Sequence, residues 1–168
     1  MLYPRNRSAV VDGVEIRGTS EFLLRTQDAF ALLRALPQFE VIEAHLALVQ
    51  QGKRSGMKAW AKRPSFIVGK ATWHHSTLWY AGAIAHDAYH AKLYRDAMKE
   101  VSGKEPDANT WTGADAEKKC LAFQRRVLLE LNADEKTIVY IDRCAKNPTY
   151  HGHNRGLRSW LDYLRRRW

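Results

Sequence analysis

The run His86-Asp-Ala-Tyr-His90 sets two imidazoles four residues apart, and Glu117 stands among apolar residues further along the chain. On a helix, residues four apart lie one above the other on the same face, so both rings can grip one metal ion from a rigid support. At about 100° per residue, His86 and His90 point the same way as Trp79, Gly82, Leu93 and Ala97, with Lys92, Arg95 and Lys99 on the opposite side. The pair is therefore expected to face the core. Two buried imidazoles need polar partners, and one metal ion satisfies both.

Residues 114–132 lead to the same chemistry from another direction. Wound as a helix, they put Cys120, Leu121, Phe123, Val127, Leu128 and Leu131 on one arc and leave Lys118, Arg125, Arg126 and Glu130 outside it. Glu117 falls inside the apolar arc. A carboxylate there is costly unless it meets a metal, strong donors or a cation such as an arginine. His86, His90 and Glu117 together form a His2Glu set. Zn2+ held by three protein ligands keeps its fourth tetrahedral position open for water, which separates catalytic from structural zinc. Such an ion acidifies water and polarises a carbonyl. Cys120 and Cys144 are not in CxxC spacing and are too few for a disulfide framework, so Cys120 is expected to be a small buried hydrophobe.

The elements that must position these residues are legible to different degrees. Residues 9–18 read as a β-hairpin around Asp12-Gly13, a pair that tolerates positive φ. Thr19 or Ser20 then caps a helix through about Leu36, ended by Pro37. The stretch 39–51 is ambiguous, but Val41, Ile42, Leu46 and Val49 suit a second helix that ends at Gly52. Residues 64–68 read as a strand with Pro64 at its start. Helices are expected at 76–99, 114–132 and 134–145, with loops at 101–112 and 148–156. A basic, tryptophan-bearing amphipathic segment, 157–168, follows. The expected fold is α+β, one mainly helical domain of 168 residues with a small N-terminal β-hairpin and an edge strand near Phe66.

Here the residues resemble a family. Trp79-Tyr-Ala-Gly-Ala-Ile-Ala-His86-Asp-Ala-Tyr-His90 resembles the active-site helix of HExxH zinc metallopeptidases, with HDxxH in its place. Glu117-Lys-Lys-Cys-Leu-Ala-Phe-Gln124 resembles the glutamate helix of their gluzincin branch, and the interval from His90 to Glu117 fits that branch. The resemblance spans residues 64–132. It implies a zincin-like fold, a zinc ion on His86, His90 and Glu117, Asp87 as general base, and a peptide or protein substrate laid along the strand at 65–68 as an edge. Aspartate is one methylene shorter than the family's glutamate and sets its carboxylate back by about 1.5 Å. A displacement of that size can lose about two orders of magnitude in rate. Asp96 lies where a metzincin-like third ligand would fall, but Leu93 occupies the position of the glycine needed to turn the chain. His74 and His75 precede the first helix of the pair. His151 and His153 sit in an expected exposed loop, and Tyr140 or Tyr150 could meet a reacting oxyanion.

The formal charge of +9 permits binding to nucleic acid, an acidic membrane surface or an acidic partner and specifies none of them. No helix-turn-helix, zinc-knuckle or RNP signature turns the charge into base reading. No segment has the apolar length of a membrane span, and the first residues lack a signal-peptide core, so a cytoplasmic location is expected. Two functions are open at this point. One is a small zinc-dependent metallopeptidase. The other is a zincin-like binding protein, catalytically weak or inactive, that uses its basic surface for nucleic acid or an acidic partner.

Overall fold

The computed structural model describes residues 7–102 and 104–146. β1 (Arg7–Val11) and β2 (Val14–Gly18) pair antiparallel across Asp12 and Gly13, whose φ values of 49° and 79° are the two positive angles that a type I′ turn requires. The side chain of Thr19 accepts the Phe22 N–H at 3.3 Å and starts α1 (Ser20–Arg34). At the far end of that helix Arg34 donates to Asp12 at 2.7 Å, which ties the hairpin turn to α1.

The stretch 39–51 splits in two. α2 (Phe39–His45) stops at His45, and β3 (Leu48–Gly52) follows where the local pattern suited more helix. Tertiary pairing decides this segment: Leu48 and Val49 are buried in a slot between β2 and β5 (Ser65–Gly69), parallel to both. β4 (Gly56–Lys58) pairs antiparallel with the other side of β5, so the order is β1-β2-β3-β5-β4. The expected edge strand at 65–68 is therefore an interior strand, and β4 is the edge. Ser-Phe-Ile-Val-Gly is buried along most of its length, as suits a strand with neighbours on both sides. The three-residue β4, with Gly56 and Lys58 exposed, has the short, charged form that an edge tolerates.

Ile16, Val49 and Phe66 lie in register across β2, β3 and β5 and are fully buried. They join Phe22, Phe30 and Leu33 of α1 in one apolar core. After the short α3 (Lys70–Trp73), Ser76 accepts the Trp79 N–H at 3.1 Å and starts α4 (Thr77–Glu100), the longest helix among the described residues. Tyr80, Ala81, Gly82, Ala83, Ile84, Ala85, Ala88 and Ala91 are all buried, so the middle of α4 is core on nearly every side. The buried Tyr80 hydroxyl and Thr26 of α1 hydrogen-bond at 2.9 Å. The expected loop at 101–112 contains one helical turn, α5 (Asn109–Thr112), where the Asp107 carboxylate accepts the Asn109 N–H at 2.8 Å.

α6 (Ala114–Glu130) runs antiparallel along α4: Gly82 meets Leu128 and Gln124, while His90 meets Glu117 at the other end. α7 (Glu135–Lys146) covers the outer side of α6 through Ile141, packed with Leu121 and Leu128, and through an Arg125–Asp142 ion pair at 2.6 Å. The architecture is α+β, and no helix among the described residues is long and apolar enough to cross a membrane. The segments 148–156 and 157–168 lie outside the described residues.

A methyl built on Gly82 would stand 3.0 Å from Leu128 Cδ2 and 3.4 Å from Gln124 Cγ, so the backbone of α4 here packs directly against these two side chains of α6. Gly82→Val is expected to cost about 1–3 kcal/mol by overpacking this seam. Urea unfolding should show a lower midpoint at unchanged slope; an unchanged midpoint would mean that α6 can back away freely.

Candidate metal centre

The seam between α4 and α6 carries the polar cluster. His86 and His90 stand one turn apart on α4, and Glu117 sits in the first turn of α6 opposite them. Glu117 is 5% exposed and His90 8%, with His86 only slightly more open. The Nε2 atoms of the two histidines are 3.2 Å apart. Glu117 Oε1 is 3.3 Å from His86 Nε2, and Oε2 is 3.2 Å from His90 Nε2. Tetrahedral zinc with N and O bonds of about 2.0–2.1 Å places its donor atoms about 3.3–3.4 Å from one another. The two Nε2 atoms stand near that spacing from each other, and each has a Glu117 oxygen at a similar distance. The donor set, two neutral imidazoles and one carboxylate, is the chemistry zinc takes in catalytic sites.

What orients His90 comes from outside the two helices. The backbone carbonyl of Trp111, on α5, lies 2.6 Å from His90 Nδ1. A carbonyl only accepts, so Nδ1 carries a hydrogen and donates it, and Nε2 is the ring atom that faces Glu117 and His86. α5 is held there by aromatic packing: the Trp111 ring meets Tyr94 at 5.2 Å, edge-on, and Trp60 at 5.6 Å. Tyr94 is one turn beyond His90 on α4, and Trp60 follows β4, so three separate segments fix one carbonyl.

Burial alone pulls the His90 pKa down, but the Cys120 thiol and the Glu117 carboxylate beside it more than reverse this, and the net position is raised to about 11. With no metal bound, a proton on His90 thus offsets the buried charge of Glu117. Asp87 is partly buried next to the pair. Loss of solvent pushes its carboxyl up to about 6, against the pull of His86 and His90 and with the added repulsion of Glu117.

The other candidates fall elsewhere. Asp96 is ion-paired with Lys92 at 2.5 Å and Lys99 at 3.5 Å near the far end of α4. His74 is half exposed, 3.6 Å from Glu21, and His75 precedes α4, whose first residue Thr77 is about 14 Å of helix rise from His86. The Tyr140 ring packs edge-on against Trp79 at 5.5 Å, about 10 Å along α4 from His86. Tyr150, His151 and His153 lie outside the described residues.

Cys120 was expected to be a plain core residue, and its burial is complete. It is also part of the cluster: its Sγ and one ring nitrogen from each of His86 and His90 all lie within 4.8 Å of one another. The signal was available in the spacing, since Glu117 and Cys120 are three apart and share a helix face.

No known protein family, curated protein or solved structure matches this chain. The chemistry of the seam is thus carried by its own side chains.

Trp111→Ala removes the ring that anchors α5 while leaving every donor of the cluster in place. Zinc affinity, measured by competition with a chromophoric chelator, is expected to fall by about 10–100-fold, the usual cost of losing an outer partner of a ligating histidine. An affinity equal to that of the native chain would show that His90 needs no hold from α5.

Proposed function

We propose that this chain is a zinc-dependent hydrolase of the gluzincin-like type, most simply a small metallopeptidase, with His86, His90 and Glu117 as the metal ligands. What supports this reading above all is the closeness of their donor atoms: the two Nε2 atoms are 3.2 Å apart, one Glu117 oxygen is 3.3 Å from His86 Nε2 and the other is 3.2 Å from His90 Nε2. A zinc ion held there supplies polarisation of a substrate carbonyl and a more acidic water. Asp87, beside the ligand pair, is the group to take the proton of the attacking water and return it to the leaving amine. Among the described residues β4 has no strand on its outer side, and an extended peptide would add to the sheet there as a further strand.

A second reading has one observation in its favour. Beyond His90, a groove of about 460 Å³ has Trp60, Tyr94 and Met98 for its apolar wall and Lys62, Arg95 and Lys99 around it. With a net charge of +9, that surface suits a polyanion such as a nucleic acid or an acidic partner, bound without hydrolysis.

Elemental analysis of untagged protein separates the two. The native chain should hold about one zinc, lost in His90→Ala and in Glu117→Ala, and peptide hydrolysis should disappear with a chelator. Absence of metal after zinc is added back would reject the hydrolase and leave the basic groove as the functional surface. A further outcome concerns the base. Asp87→Glu advances the carboxylate by one methylene, and peptide turnover should rise by about tenfold or more at unchanged zinc content; a fall in turnover would remove Asp87 from the proton-transfer role.

A further inference from the structure

Zinc bonds of about 2.05 Å to nitrogen and about 2.3 Å to sulfur put a nitrogen and a sulfur ligand about 3.5 Å apart in a tetrahedral site. Cys120 Sγ lies within 4.8 Å of a ring nitrogen of both His86 and His90, so at most about 1.3 Å separates it from ligand distance. A change in its χ1 torsion and a small shift of α6 cover that gap. Cys120 is fully buried, in the same seam and on the same face of α6 as Glu117, so the sulfur lies inside the cluster. The two histidines therefore have a sulfur near them as well as the Glu117 carboxylate, where an open catalytic site uses three donors.

We infer that Cys120 is the fourth ligand of this site, which closes it as a His2GluCys tetrahedron in the resting protein. This rests on the zinc reading above and adds a regulation to it. On coordination the thiol gives up its proton to solvent and the sulfur binds as thiolate, stabilised by the charge of the ion. The sulfur then fills the position that water needs, so hydrolysis waits on its displacement, by substrate or by modification of the thiol. A soft sulfur donor also biases the site toward zinc and against magnesium, calcium and manganese, which prefer oxygen.

Cobalt(II) tests this on the full chain without relying on activity. Added as Co2+ alone, it should give visible bands of a four-coordinate ion together with an intense near-ultraviolet charge-transfer band from the thiolate. Cys120→Ser should lose the near-ultraviolet band, keep visible absorption and bind the ion roughly tenfold more weakly or worse, a loss at least equal to that for an outer partner. Cys144→Ser should keep both bands. Circular dichroism confirms that each variant is folded, and Cys120→Ala replaces the serine variant if that one is not. Visible bands with no near-ultraviolet band in the native chain would overturn Cys120 as a ligand and leave the three-ligand hydrolase intact. Loss of the band in Cys144→Ser, with Cys120→Ser unaffected, would overturn it as well. Failure of the native chain to bind cobalt or zinc in equilibrium dialysis would instead overturn the zinc reading itself.

Discussion

A carboxylate taken out of water is tolerated only where charge or strong donors meet it, and Glu117 is almost wholly buried between two helices. Its two oxygens each face an imidazole nitrogen from α4. Much of the structure serves that meeting. α4 has to lie deep enough to bring both rings level with the first turn of α6, and its buried residues up to Ala91 are, apart from Tyr80, Ile84 and His90, small ones: Ala81, Gly82, Ala83, Ala85, Ala88 and Ala91. Larger side chains at these positions would lift the helix away from its neighbours and leave the carboxylate facing apolar groups. The sheet and α1 act one layer further out. Ile16, Val49 and Phe66 on one side and Phe22, Phe30 and Leu33 on the other form the floor on which α4 rests.

The orientation of the rings depends on a different part of the chain. A helix can set where an imidazole is but not which nitrogen carries the hydrogen. That is decided by the carbonyl of Trp111 and, through its ring, by Tyr94 and Trp60. The single turn of α5 lies in a Gly/Pro/Asp/Asn-rich stretch with no helical periodicity, and its role comes from the backbone. Side-chain patterns carry no trace of such a role.

This division explains what could be read from the residues. The hairpin was legible because Asp12-Gly13 accepts two positive φ angles, and α4 and α6 were legible because both have long apolar arcs and α4 a serine cap. The inward facing of His86, His90 and Glu117 followed from those arcs, since 100° per residue is a local property. Strand order is not local. Leu48 and Val49 satisfy a helical pattern taken alone and become strand only because β2 and β5 flank them. The edge position passed from 65–68 to β4 for the same reason. Residue type alone makes Cys120 a small apolar group, while its place three residues from Glu117 sets it on the same face of α6.

The close approach at Gly82 has a consequence for which ions the seam can accept. With no side chain at Gly82, the backbone of α4 meets the Leu128 and Gln124 side chains of α6 directly, and no change of rotamer at Gly82 can relieve that contact. That contact resists separation of the two helices near His86. Donor atoms 3.2–3.3 Å apart suit an ion with bonds near 2 Å. Calcium needs bonds of about 2.3–2.6 Å and six to eight oxygens, which two imidazoles and one carboxylate do not supply. An ion held in the seam would meet that resistance one helical turn from His86, at a residue with no side chain at all.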